Sequence, residues 1–260
     1  MYEFNYHRAS SAADAAGKAG SSDDGVYMAG GQTLIPTLKQ RLASPSDVID
    51  LGGCADLSGI NSDGSSITIG AMTTHASVAA SKGIDALTSL ASNIGDQAVR
   101  NRGTIGGSIA NNDPAADYPA ACLALGATII TDKREIAADD YFTGLFETAL
   151  NDGEIITAVR FPVPETAAYI KFPNPASRYA MVGVFVAKTS NGVRVAVTGA
   201  GDNGVFRASS IEDALKTNFS SDVVDSSSID TDNLLSDIHA GAEYRQHLIG
   251  VMAARAVDAC

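Results

Sequence analysis

Hydrophobic and polar residues follow two different periods near the start of the chain, and these periods predict the first elements. The apolar run from Val26 to Ala29 predicts a buried strand, and the apolar spacing from Leu34 to Leu42 predicts an amphipathic helix. Val48 to Leu51 predicts a second strand. A strand, a helix and a strand in so short a stretch form a βαβ unit, whose strands are expected to be parallel.

The middle of the chain predicts a second sheet with helices beside it. Ile67, Ile69 and Ala71 alternate with polar residues, as in a strand with one buried face. Helices are predicted from Leu87 to Ile94 and from Pro114 to Leu125, with the proline in the first turn, where its missing N–H is not needed. Further strands are predicted in ATIITD (127–132), EIITAVRFP (154–162) and AYIKF (168–172).

Beyond residue 172 the pattern becomes that of an antiparallel sheet. Two apolar runs in MVGVFVAKTSNGVRVAV (181–197) are joined by Ser190-Asn191-Gly192, which is a typical hairpin turn. Helices are predicted near 211–217 and over 241–257. The chain is therefore expected to be α+β, with a domain boundary between Pro162 and Pro175.

Composition limits the possible partners and location. The 260 residues include 45% hydrophobic residues and carry a formal charge of -12, which argues against nucleic acid and anionic lipid as partners. No stretch has the length and apolar character of a transmembrane segment or of a secretory signal. A cytoplasmic protein is expected.

The residues that commonly bind metals are scattered. Cys54, Cys122 and Cys260 form no CxxC pair, which excludes a four-cysteine iron–sulfur cluster within this chain. The histidines show no metal-ligand spacing, so no protein-bound metal is expected. His75, in TTHAS, is predicted to be a surface residue at the start of a helix rather than a ligand or a flavin attachment point.

Two glycine pairs carry the chemistry that the sequence offers. They lie in AGGQT (29–33) and TIGGS (104–108), each beside a hydroxyl residue, and the first precedes a predicted helix with Thr33 as its cap. Backbone amides in such loops can bind adjacent phosphates without a lysine. Asp117 can accept hydrogen bonds from sugar hydroxyls, although a role in a turn or helix cap is an equally good interpretation. No GxGxxG motif follows the first strand, which argues against a Rossmann-type dinucleotide site.

Six ordered segments give the chain a resemblance to one family. They are FNYHRASS, AGGQTLIPTLKQRLASPSDVIDL, ITIGAMTTH, IGDQAVRNRGTIGGSIANNDPAADYPAACLALGA, FPNPASRYAMVGV and YRQHLIGVMAARAV. Together they resemble the medium, FAD-binding subunit of the molybdenum hydroxylases, the group that includes carbon monoxide dehydrogenase and xanthine dehydrogenase. The resemblance implies a two-subdomain FAD-binding domain of the vanillyl-alcohol oxidase or PCMH type at 1–172 (subdomains about 1–53 and 54–172). An antiparallel sheet with helices would follow at 173–260.

The resemblance also implies a set of residues that bind FAD without a covalent bond. Asp117 would bind a sugar or ribityl hydroxyl, and Ile94 would pack against adenine. Ile156 would lie on the strand that approaches the isoalloxazine, and Lys171 and Tyr179 would lie near the ring. Two segments would surround the pyrophosphate, namely Ala29, Gly30, Gly31, Gln32, Thr33 and Thr104, Ile105, Gly106, Gly107, Ser108.

In such a complex this flavoprotein would transfer electrons. A large molybdopterin-binding subunit would carry the molybdenum cofactor, a small subunit would carry [2Fe-2S] clusters, and FAD would deliver electrons to an external acceptor. A dimer of heterotrimers is the implied assembly. Two alternatives stay open: a stand-alone flavoprotein oxidoreductase, for which the sequence offers no convincing acid or base, and a non-catalytic assembly subunit that has lost its flavin.

Overall fold

A small parallel sheet forms the first unit of the protein, which a computed structural model describes from Met1 to Cys260. Strand β3 lies between β1 and β2 and runs parallel to both, so the predicted βαβ unit is confirmed. The helix after β2 ends earlier than the apolar spacing indicated, because Arg41 takes a left-handed conformation with φ 59°. The elements of this unit are β1 (Asn5–Arg8), α1 (Ala12–Gly20), β2 (Gly25–Met28), α2 (Leu34–Lys39) and β3 (Asp47–Asp50).

Short helices and a five-stranded antiparallel sheet form the second unit. Its elements are β4 (Ile60–Ser62), β5 (Ser66–Gly70), α3 (His75–Ala79), α4 (Asp85–Ser92), α5 (Gln97–Arg102), α6 (Ile105–Asn111), α7 (Tyr118–Leu125), β6 (Thr128–Thr131), β7 (Glu135–Ala137), α8 (Ala138–Tyr141), β8 (Phe142–Gly144), β9 (Glu147–Thr148) and β10 (Ile156–Pro162). The strand order is β4-β5-β10-β6-β7, while β8 and β9 form a separate hairpin. Ile67, Ile69 and Ala71 all face the core, as their alternation predicted.

A second antiparallel sheet, with two helices, forms the C-terminal unit. Its elements are β11 (Thr166–Pro173), β12 (Ala180–Thr189), β13 (Gly192–Thr198), β14 (Phe206–Arg207), α9 (Ser209–Thr217) and α10 (Ala242–Asp258). The strands follow one another in the order β11-β12-β13-β14, and the predicted hairpin joins β12 to β13. Because β11 pairs along its length with β12, the C-terminal sheet begins at Thr166, and the expected boundary at 172 falls inside β11. Four short 3-10 helices lie at Leu51–Gly53, Ala55–Leu57, Ser221–Val223 and Thr231–Asn233.

Helix α7 lies between the two antiparallel sheets and is buried along its whole length. It contacts β10 on one side and β12 and β13 on the other, so it has no solvent face and no need of an amphipathic pattern. The predicted start of this helix at Pro114 is wrong. Asn112 is left-handed with φ 43°, and the Asp113 side chain accepts a hydrogen bond from the Ala115 amide, so a turn precedes the helix. Pro119, not Pro114, lies in the first helical turn.

Candidate functional site

A cavity of about 560 Å³ lies where the three units meet, within the size range of small-molecule sites. Its walls come from the loop after β2, the starts of α3 and α6, the segment after α4, the segment before α7, and residues 150–156 and 177–179. Two of the expected residues are absent from the wall: Ile105 is buried in the core, and Lys171 borders a neighbouring depression. Thirteen of the expected residues do line the cavity: Ala29, Gly30, Gly31, Gln32, Thr33, Ile94, Thr104, Gly106, Gly107, Ser108, Asp117, Ile156 and Tyr179.

The loop from residue 29 to 33 presents free backbone donors to this cavity. The N–H groups of Gly30, Gly31, Gln32 and Thr33 donate to no acceptor within the chain. Gly31 has φ 72°, a conformation that glycine adopts without strain. Thr33 occupies the cap position of α2, but its hydroxyl makes no capping bond, so the predicted Thr33 cap is wrong. Four unpaired amides in a row can serve as donors to an anion.

The second glycine segment is built differently. Its amides at Ile105 and Gly106 donate to the carbonyls of Thr73 and Ala71, at 3.1 and 2.9 Å. The Gly107 amide donates to the Thr104 hydroxyl at 3.2 Å, which caps α6. These amides are therefore not free donors, in contrast to the expectation for this loop. A Cβ at Gly106 would lie 2.5 Å from the Cβ of Ala71, so that glycine permits close packing of α6 on the strand end.

The two glycine segments touch. A Cβ on Gly30 would collide with the carbonyl oxygen of Arg102 and lie 2.9 Å from the Cα of Gly103. Likewise, a Cβ on Gly107 would lie 3.3 Å from the Cβ of Ala29. The glycines thus bring the free amides of one segment against the second segment, and both segments line the cavity.

Asp117 belongs to a buried group that joins the cavity to the C-terminal sheet. Its Oδ1 accepts a hydrogen bond from the Tyr169 hydroxyl at 2.5 Å and lies 2.9 Å from Nζ of Lys171. Burial raises the pKa of Asp117 even though Lys171 and Tyr169 oppose that shift. Lys171 Nζ also donates to the carbonyl of Asn93 at 2.9 Å, so Lys171 supports the cavity wall at Ile94 from behind.

Positive charge is scarce around the cavity. Arg178 is the only lysine or arginine on its wall, whereas Asp113, Asp117 and Glu154 supply carboxylates. Burial raises the pKa of Asp113, and hydrogen bonds and charge from Arg134 lower the pKa of Glu154 to about 2. An anionic ligand would therefore depend on backbone amides rather than on cationic side chains.

Comparison with known proteins identifies the kind of ligand. The family described as the FAD binding domain in molybdopterin dehydrogenase matches residues 2–164. The chain belongs to this family. It is also 37% identical to the carbon monoxide dehydrogenase medium chain of Afipia carboxidovorans over 98% of this chain and 96% of that one. The nicotine 6-hydroxylase medium subunit of Paenarthrobacter nicotinovorans is 33% identical over 97% and 95% of the two chains.

A solved structure shows the same fold. Reconstituted CO dehydrogenase from Oligotropha carboxidovorans contains a chain that is 34% identical, with a TM-score of 0.90 over 98% of this chain and 96% of that chain. The predicted α+β FAD-binding fold, with an antiparallel C-terminal sheet, is thereby confirmed. This chain is an FAD-binding subunit of an oxidoreductase.

The geometry of the cavity fits FAD. The four free amides at Gly30 to Thr33 suit its negatively charged diphosphate. Apolar side chains, including Ile94, Ile156 and Leu150, line the rest of the cavity and suit its two ring systems. Tyr179, half exposed beside the cavity, can cover a ring. The individual contacts of the expected residues with FAD stay predictions.

The sequence did not predict that several other residues line the cavity. His75 was expected at the surface but is buried at 5% exposure, because the Thr74–Thr104 bridge folds it under the second glycine segment. Glu154 and Arg178 reach the wall through contacts between elements distant in the chain. A signal existed only for His75, as an unusual ionisable residue in an otherwise neutral TTHAS segment.

The structure also bears on metals and membranes. No group of three or more histidine, cysteine or acidic side chains is arranged to hold a metal ion. All three cysteines are free, with Cys54 and Cys122 buried and Cys260 exposed. No helix is both long and apolar enough to cross a membrane.

Proposed function

We propose that this chain is the FAD-carrying electron-transfer subunit of a molybdenum hydroxylase complex. It would take electrons from [2Fe-2S] clusters on a small partner subunit, while a large molybdopterin-binding subunit carries the molybdenum cofactor and hydroxylates the substrate. The observation that carries the proposal is the row of four free amides in a cavity of suitable size, on a chain of this family. Bound FAD supplies the redox chemistry of accepting electrons and releasing them to an external acceptor.

The residues of this chain would bind and orient the cofactor. Amides of Gly30 to Thr33 would hold the diphosphate, and the apolar wall at Ile94 and Ile156 would exclude water from the rings. Asp117 would accept a hydroxyl of the sugar or ribityl chain with lone pairs that Tyr169 and Lys171 do not use. Non-covalent attachment is expected from this set of contacts.

Substrate choice would lie outside this chain. The carbon monoxide dehydrogenase and nicotine 6-hydroxylase subunits are 37% and 33% identical to this chain in sequence, although carbon monoxide and nicotine are chemically unrelated. Two of the three carboxylates on the cavity wall are paired, Asp117 with Tyr169 and Lys171 and Glu154 with Arg134, while Asp113 accepts only the Ala115 amide. Free cysteines fit a reducing cytoplasm, and a dimer of heterotrimers is the assembly we propose.

Purification of the tagged chain from its native cells tests this proposal. The expected result is co-purification of two further subunits, with flavin, iron and molybdenum in the complex and only flavin in the separated chain. A complex assembled with Gly30→Ala in place of the native chain should keep iron and molybdenum but retain less FAD than the native complex. A chain that purifies alone and whose flavin is bleached by a small substrate without partners would contradict the proposal and favour a stand-alone oxidoreductase.

A further inference from the structure

His75 lies behind the contact between the two glycine segments. Its amide donates to the carbonyl of Gly103 at 2.9 Å, and its imidazole packs under that residue, since a Cβ on Gly103 would lie 2.5 Å from Nε2. On its other side Gly103 meets Gly30, the first of the residues with free amides. Gly103 therefore packs between the imidazole of His75 and Gly30, where the free amides begin.

The two ring nitrogens of His75 have different surroundings. Nδ1 is buried without a hydrogen-bond partner, whereas Nε2 makes no hydrogen bond within the chain and is not among the buried atoms. Because His75 is on the cavity wall, Nε2 is the nitrogen that a bound molecule can reach. An unpartnered, nearly buried polar side chain beside a ligand cavity is uncommon in folded proteins.

Tyr118 offers a reason for this arrangement. Its hydroxyl is also buried without a partner, and its ring lies 5.3 Å from the imidazole, centroid to centroid. A hydrogen bond from the Tyr118 hydroxyl to Nδ1 of His75 would satisfy both orphaned atoms. That bond would place the ring proton on Nε2.

The imidazole is also neutral. Burial, with a smaller contribution from the Arg100 charge, lowers the pKa of His75 to about 4. A neutral Nε2–H is a hydrogen-bond donor at physiological pH, and it adds to the free amides without a further charge.

We propose that His75 contacts the cofactor directly, donating from Nε2 to a phosphate oxygen of FAD, with Tyr118 fixing its tautomer. The inference rests on the proposed function, because it assigns a further donor to the same site. A phosphate is the acceptor chosen because His75 and the free amides of Gly30 to Thr33 line the same cavity, with Gly103 packed against both His75 and Gly30.

The test compares two flavins and two variants. Isothermal titration with FAD and with riboflavin, which lacks the phosphates, is carried out on wild type, His75→Leu and His75→Gln. His75→Leu should bind FAD about tenfold more weakly, equivalent to about 1.4 kcal/mol, with riboflavin affinity unchanged. His75→Gln should recover most of the loss because its amide can donate. Circular dichroism and melting curves check that the variants are folded.

Three results would overturn the inference. The first is unchanged FAD affinity in His75→Leu, and the second is equal weakening for both flavins, which marks a structural role only. The third is measured on wild type alone and so does not depend on the folding of the variants. In ¹⁵N NMR the imidazole should show the Nε2–H tautomer, and the Nε2 proton resonance should shift when FAD binds. A proton on Nδ1 refutes the inference. If folded wild type binds no FAD at all, the proposed function fails as well.

Discussion

Gly30 is the position where a single methyl group should separate cofactor binding from folding. In Gly30→Ala the new Cβ would lie 2.8 Å from the carbonyl carbon of Arg102. To reach the 3.4 Å of ordinary contact with that carbon the two segments must separate by about 0.6 Å, and the carbonyl oxygen, which is closer still, requires more. Overpacking of this kind costs about 1–3 kcal/mol of stability.

The same displacement moves the free amides away from the diphosphate. Loss of one hydrogen bond to a charged group costs about 1.5–3 kcal/mol, so the Kd for FAD should rise by about one to two orders of magnitude. Titration of the chain with FAD, followed by quenching of flavin fluorescence, measures this change. The matched control is Gly17→Ala in α1, where a Cβ meets nothing within 4 Å.

The two alanine variants should therefore change the free energy of unfolding in opposite directions, and only one of them should change FAD affinity. Gly17→Ala should raise the free energy of unfolding by about 0.5–1 kcal/mol, because alanine favours helix, and should leave FAD affinity unchanged. Gly30→Ala should lower both quantities. If folded Gly30→Ala binds FAD as tightly as wild type, the contact between the glycine segments does not form the cofactor site, and the reasoning is refuted.

Three further predictions concern stability. Lys171→Met should lower the free energy of unfolding in urea by about 3–5 kcal/mol, because Asp117 is left buried without its cation. The double variant with Asp117→Asn should recover part of this loss. Equal free energies of unfolding for wild type and Lys171→Met would contradict the prediction. Because the pKa of Glu154 is about 2 in the folded chain against an ordinary value of 4.5, its contribution to stability is complete above pH 4.5 and is lost as pH falls towards 2. Melting temperatures of Glu154→Gln against pH should lack that loss, and a profile parallel to wild type would count against the Arg134 pairing. Gly192→Ala, at φ 111°, should cost about 1–2 kcal/mol in the hairpin turn without changing FAD affinity; a neutral melting shift would show that the turn relaxes.

The parts of the fold that were predictable depend on local signals. The hairpin turn at Asn191-Gly192 and the strand that begins near Ile67 depend on residues close together in the sequence, so turn chemistry and periodicity predicted them. The glycine segments were visible for the same reason, since paired glycines beside hydroxyl residues stand out along the chain. Their contact through Gly30 was not visible, because it joins residues far apart in sequence.

The rest depended on tertiary contacts that no local pattern carries. His75 is buried because the Thr74–Thr104 bridge brings two distant segments together. The Gly106 amide is occupied because Ala71 offers its carbonyl across the same junction. Lys171 was assigned to the ring by resemblance, yet its side chain pairs with Asp117 behind the wall, a placement set by the packing of β11. Because the cavity is assembled from three units, the side chains packed behind its wall could not be predicted from the sequence.

Titration of the purified, folded chain with FAD tests the central claim most directly. We expect one FAD per chain, a flavin absorption spectrum after gel filtration, and full release of the flavin on acid precipitation because the binding is non-covalent. The same titration in the presence of co-expressed partner subunits covers the case in which the cavity is completed on assembly. A folded chain that takes up no FAD in either setting would contradict the assignment of the cavity and of the amides at Gly30 to Thr33.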